Sequence, residues 1–168
     1  VISELLGHPS PEQVASLKAA LDTNPRHVPS LLLMADHQIV AEQYGEAEDR
    51  LSEVRGVNPV SPEAWAYHAA VAHLRNQAAG ERTARAEALT PWAENPAVDH
   101  IIGTILSQKY RFAEGAAYQR SALAMDKDYL PAKAQLATDL LRLGENTEGW
   151  MLAEEVSVRD EFNVEAFN

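Results

Sequence analysis

This sequence has no cysteine. Disulfides, thiolate metal sites and thiol redox chemistry are therefore excluded within the chain, while nothing follows about compartment. No apolar run reaches the roughly 18 residues that a membrane-spanning helix requires. Segments rich in Val, Ile, Thr and aromatic residues are scarce, so strands have little support. Cations are few as well: 14 Lys and Arg stand against 25 Asp and Glu, a formal charge of −11. Nucleic acids and anionic membrane surfaces both need clustered Lys and Arg, so neither is an expected partner. A neutral or basic protein or peptide suits this charge better, and much of the acidity serves solubility.

The signatures of chemistry are missing too. Zinc hydrolysis on a helix needs two histidines four apart with glutamate after the first, and no histidine here is followed by Glu. His68 and His73 are five residues apart, which turns them roughly 140° from each other on a helix. There is no Gly-rich phosphate loop, and no serine has the spacing of a nucleophile with base and oxyanion donors. No catalytic residue, cofactor or metal site is expected.

What the chain does have is alanine, concentrated at 64–72 and 113–124, where it favours helix and close helix contact. It also has a ruler. Asn24, Asn58, Asp126 and Asp160 are separated by 34, 68 and 34 residues. Within one 34-residue unit, 28–61, Leu31, Met34 and Ala35 give one apolar helix face, and Ala47, Leu51 and Val54 give a second at i, i+4, i+7. Asn58-Pro59 stops that helix. The next unit, 62–95, opens with Ser61 as cap and Pro62 in the first helical place. Trp65, His68 and Ala69 are expected as its core signature, in a helix running to about Gln77. Residues 78–80 read as a turn and a short helix follows over about 82–89. At the ruler's missing mark stands Trp92, so 78–96 is the expected irregularity. The units 96–129 and 130–163 recover phase through Ile102-Gly103 and Leu136-Ala137. Phe112 opens a second helix with Ala116, Ala122 and Leu123 inward. Gly144 closes a first helix, and Gly149, Ala153 and Val156 repeat the second-helix stripe. Residues 11–24, with Val14, Leu17 and Leu21, form a lone leading helix.

A 34-residue helix–turn–helix period is the unit of the tetratricopeptide repeat, and over roughly residues 11–163 the chain resembles that family. The matches are Trp65, the pairs Met34-Ala35, His68-Ala69, Ile102-Gly103 and Leu136-Ala137, Ala47 with Leu51, and the closing Pro25 and Pro59. Lys127 and Glu161 stand where later closing prolines belong. The resemblance implies an all-α, right-handed solenoid of about four helix pairs behind a lid helix, 1–168 forming a single array. It also implies a concave groove, lined by first helices, that binds extended peptides or partner helices. The groove places would carry Asp36 and Val40, Tyr67 and His73, His100, Thr104 and Gln108, then Thr138 and Arg142. The family's clamp for acidic chaperone tails needs Lys, Asn and Arg, whereas here Leu32, Asp36, Tyr67, Ala97 and Ile101 occupy comparable places, which rejects that ligand. The expected function is a non-catalytic scaffold.

Residues 158–168 carry a fainter similarity, to the stretch where helical repeats precede a peptidase-MA-like zinc metallopeptidase domain. It implies an accessory region of a larger enzyme. Val1 in place of an initiator Met, and the half-turn of a further unit at 164–168, predict a fragment of a longer chain. An uncovered apolar end around Leu140, Val156 and Phe167 would favour self-association. The acidic run Glu46–Arg50 is expected as a solvated helix start.

Overall fold

A computed structural model describes residues 10–160, with only the backbone of 159 and 160. The 164–168 half-turn, Phe167 and nearly all of 158–168 lie outside the described residues. Every regular element described is an α-helix. The chain divides into two units, Val1–Ala93 and Glu94–Asn168.

Among the described residues, five helices belong to the first unit: α1 (Pro11–Thr23), α2 (Val28–Val40), α3 (Tyr44–Val57), α4 (Pro62–Leu74) and α5 (Ala78–Leu89). Ser10 caps α1 in a reciprocal box. Its hydroxyl accepts from the Gln13 amide, and the Gln13 side chain accepts from the Ser10 amide, so two orphan donors of the helix start are satisfied. Leu31, Ala35, Leu51, Val54 and Ala64 form one buried cluster, with Leu21 of α1, Val28, Leu32 and Tyr67 packed on it. Leu21 thus seats the leading helix on the first pair, as a solenoid lid must. Trp65 is not in this core. Its indole is half-buried, donates to the Pro59 carbonyl at 2.8 Å and carries the Arg55 guanidinium 4.8 Å from its centroid. An indole N–H needs a partner when buried, and that need holds the ring at the edge.

The second unit holds α6 (Pro96–Gln108), α7 (Phe112–Met125), α8 (Leu130–Leu143) and α9 (Asn146–Asp160). Ala116, Leu136 and Leu140 are its buried apolar cluster, flanked by Leu123 and Leu152. Leu140, expected at an uncovered end, is 1% exposed: it stands where α8 meets the second helices on both of its sides.

The ruler has a physical cause. Asn24, Asn58 and Asp126 end α1, α3 and α7 in extended backbone, each donating its amide to the carbonyl four residues back. Each side-chain oxygen then accepts the amide two residues on: Arg26 at 3.2 Å, Val60 at 3.2 Å and Asp128 at 2.9 Å. These are Asx turns, which a short acceptor side chain closes and Trp92 cannot. There α5 ends instead at Thr90 in helical geometry, and Asn95 caps α6 through the Ala97 amide at 3.1 Å.

A second ruler runs through the turns inside each pair. Glu42, Asn76, Tyr110 and Gly144 all have positive φ, at 62°, 57°, 61° and 83°, and they too are 34 residues apart. Asn76 is therefore the turn between α4 and α5. The first helix stops at Leu74 rather than Gln77, and the expected turn at 78–80 is the first turn of α5. Gly80 misled because it marks a close helix contact, its missing Cβ lying 3.6 Å from that of Ala72. The irregular stretch shrinks to the connection after Leu89. Left-handed geometry costs an L-residue about 1–2 kcal/mol, so Gly144→Ala is expected to destabilise by about 1 kcal/mol. An unchanged urea midpoint would count against it.

Candidate functional site

The groove candidates fall into two groups, one in each unit. In the first, Asp36 and Val40 come from α2 and Tyr67 and His73 from α4; all four are half-buried. Tyr67 lies against the apolar cluster. Burial, then the fields of Asp36 and Glu63, push its pKa well above the usual range, so it stays neutral and a donor. His73 turns toward its own pair: its Nδ1 is 2.9 Å from the Glu81 carboxylate of α5. Gln38, two residues on and about 200° around the helix from Asp36, holds a buried amide oxygen that has no hydrogen-bond partner.

In the second unit His100 is drawn to α7. Gln119 Nε2 donates to the His100 carbonyl at 3.2 Å and lies 3.5 Å from Thr104 Oγ1. Its Oε1 is thereby left to accept from His100 Nδ1 at 2.9 Å, which places the imidazole proton on Nδ1. The ring packs edge-on to Tyr129, centroids 5.6 Å apart. Burial lowers the His100 pKa, against a smaller opposing effect of the Gln119 bond. Gln108 is half-buried, and its amide oxygen is buried without a hydrogen-bond partner. Thr138 and Arg142 are exposed on α8, the Thr138 hydroxyl returning to the Ala134 carbonyl.

Beneath these residues lies polar structure that the repeat pattern alone does not suggest. Asp99 and Lys133 stand 34 and 68 residues after Trp65, in the large-residue place, yet both are buried. Asp99 accepts from Ser121 at 2.5 Å; Lys133 meets Glu155 at 2.5 Å and Asp128 at 3.9 Å. Asp139, 0% exposed, accepts from Ser107 and Gln135, both at 2.9 Å. Burial raises its pKa, and those two bonds hold the rise back. The phase was the available signal, since a charged residue in an apolar place is buried only when paired. Glu48, expected among solvated acids, instead binds His68 Nδ1 at 2.7 Å. Among the described residues no group of three or more His, Asp or Glu is placed to hold a metal ion, and no helix is long and apolar enough to cross a membrane.

Comparison with known proteins agrees with this architecture. Residues 14–74 match a tetratricopeptide repeat family model. No curated protein matches the sequence. Among solved structures, yeast Tom70 is similar with a TM-score of 0.60 at 18% identity, over 89% of this chain and 33% of that one. PilW, described as a type IV pilus biogenesis factor, is similar with a TM-score of 0.52 at 20% identity, over 89% and 70%. Pseudomonas aeruginosa pilF is similar with a TM-score of 0.52 at 12% identity, over 87% and 67%. The chain spans about a third of the length of Tom70. These likenesses show a tetratricopeptide-repeat fold for this chain.

Proposed function

We propose that the chain is a non-catalytic scaffold whose first helices bind a peptide or partner helix with both apolar and basic side chains. The observation that supports it most is the pairing of Asp36 with Tyr67. They come from successive first helices, and the carboxylate stands close enough for its field to act on the phenol. An aromatic face beside carboxylates suits a Lys or Arg side chain. Val40 adds apolar surface. Gln108, in phase with Val40, adds a half-buried amide on the corresponding face of α6. In the second unit, considered by itself, Thr138 and Arg142 are exposed on α8 and offer polar contacts. His73, His100 and Thr104 shape it from within, because their polar atoms face second helices.

The test is a displayed library of unstructured 12-residue peptides, with selected clones measured by fluorescence anisotropy. Asp36→Ala combined with Tyr67→Ala is expected to weaken binding about tenfold or more, with the circular dichroism spectrum kept. Undiminished affinity would remove Asp36 and Tyr67 from the binding surface. The alternative, an accessory region of a zinc metallopeptidase, rests on 158–168, and no described helix adds to it. A His-Glu-x-x-His signature downstream in a longer sequence would decide for it.

A further inference from the structure

Asp139 on α8 stands in phase with Ile105 of α6 and Val71 of α4, each only 1% exposed. An acid in that apolar place is not something the repeat pattern asks for. Asp139 is itself fully buried. Gly115 of α7 makes room for it, since a Cβ there would lie 3.2 Å from Asp139 Oδ2. Its two partners are neutral: Gln135 Nε2 meets Oδ1 and Ser107 Oγ meets Oδ2, both at 2.9 Å.

The charged groups of the surrounding helices are engaged elsewhere or exposed. On α6, Asp99 accepts from Ser121 and His100 donates to Gln119. On α7, Glu114 and Arg120 meet Arg111 and Glu148. On α8, Lys133 meets Glu155, and Arg142 is exposed, as is Glu154 of α9. Among the described residues no cation acts on Asp139; burial and its two neutral hydrogen bonds set its charge state.

Ser107 is asked for more protons than it has. Its Oγ is 2.9 Å from Asp139 Oδ2 and 3.0 Å from the Gly103 carbonyl one turn back. A serine hydroxyl has one proton, so it serves one of the two at a time. With Asp139 ionised, Ser107 donates to the carboxylate and the Gly103 contact holds no proton. With Asp139 protonated, the acid's own O–H donates to Ser107 Oγ, and the Ser107 hydroxyl turns to Gly103. Both contacts are then hydrogen bonds at once, and Oδ1 still accepts from Gln135.

We infer that Asp139 takes up a proton without leaving its site, which makes Ser107 the centre of a latch from α8 to α6 that tightens as pH falls. Burial raises the Asp139 pKa, with Gln135 and Ser107 opposing. The folded chain therefore binds this proton before the unfolded chain, whose Asp titrates at about 3.9. Stability from the latch is full at low pH and is lost as pH rises from the unfolded pKa through the folded one. His100 acts with the opposite sign, so the latch is read as a difference between variants.

Asp139→Asn keeps an acceptor for Gln135 and an N–H for Ser107, so it copies the protonated latch at every pH. Asp139→Leu has the same branched shape and no donor. Urea midpoints are measured from about pH 8 to about pH 4. At the upper end the Asn variant is expected at or above the parent, and the parent should gain on it as pH falls. The Leu variant should lie below the Asn variant throughout. In the parent protein, the side-chain carboxyl carbon of Asp139, followed by NMR, should titrate above the ordinary value of about 3.9. A parent that exceeds the Asn variant by one margin at every pH overturns the inference. So does an Asn variant no more stable than the Leu variant, or an Asp139 titration at or below about 3.9.

Discussion

Gly115→Ala is expected to destabilise the second unit by about 3–5 kcal/mol. Gly115 on α7 and Gly103 on α6 face each other, and a Cβ at either would lie 2.9 Å from the other's carbonyl oxygen. Backbone at that distance cannot yield without separating the helices. The Gly115 Cβ would also run into Ser107 Oγ and come within 3.2 Å of Asp139 Oδ2. Ser107 would have to leave Asp139, which is fully buried and accepts its hydroxyl at 2.9 Å. Overpacking costs about 1–3 kcal/mol and an orphaned buried acceptor about 1–3 kcal/mol; the two act together because the same methyl group causes both. Urea denaturation monitored by circular dichroism reads it as a lowered midpoint. Gly56→Ala is the control. A Cβ there meets nothing within 4 Å, and the change should stabilise by about 0.5–1 kcal/mol through helix propensity. Equal midpoints for the two variants would show that α6 and α7 do not approach as closely as described.

The array was legible in the sequence because its punctuation is chemical. Asn and Asp close Asx turns and Pro opens first helices, and both leave a 34-residue mark. Apolar periodicity placed Leu31, Ala35, Leu51 and Val54 correctly in one core. The turns within pairs were harder, because their left-handed position holds Glu42, Asn76 and Tyr110, of which only Asn suggests such a conformation; Gly144 alone was plain. The site was less legible than the fold. Phase shows which residues share a helix face, but it does not show that His73 is met by Glu81 or His100 by Gln119. Those contacts depend on which residue the second helix presents across the pair. Leu140 shows the same limit from the other direction: its exposure was inferred from chain position, and packing by Ala116 and Leu136 decided otherwise.

Gln119→Leu is expected to destabilise by about 2–4 kcal/mol, against the direction the repeat pattern suggests. Gln119 stands in the place of Leu51, so by pattern alone leucine would complete the apolar stripe. In the structure the amide is 0% exposed and satisfies the His100 imidazole and the His100 carbonyl, with Thr104 alongside. Leucine has a similar volume and none of these bonds, so the half-buried imidazole N–H loses its acceptor and the His100 carbonyl its second donor, at about 1–3 kcal/mol each. The variant should also respond more to acid. The folded His100 pKa already lies below the unfolded value of about 6.5. The unfolded chain therefore binds the proton first, and the stability this group contributes above that pH is lost as pH falls from the unfolded pKa through the folded one. Gln119 opposes the lowering by its hydrogen bond. Its removal should depress the His100 pKa further and carry the loss to lower pH. Imidazole titration by NMR, with urea midpoints between pH 7 and pH 5, measures both effects. A Gln119→Leu protein as stable as the parent, with an unmoved His100 titration, would mean that Gln119 fills space without holding the imidazole.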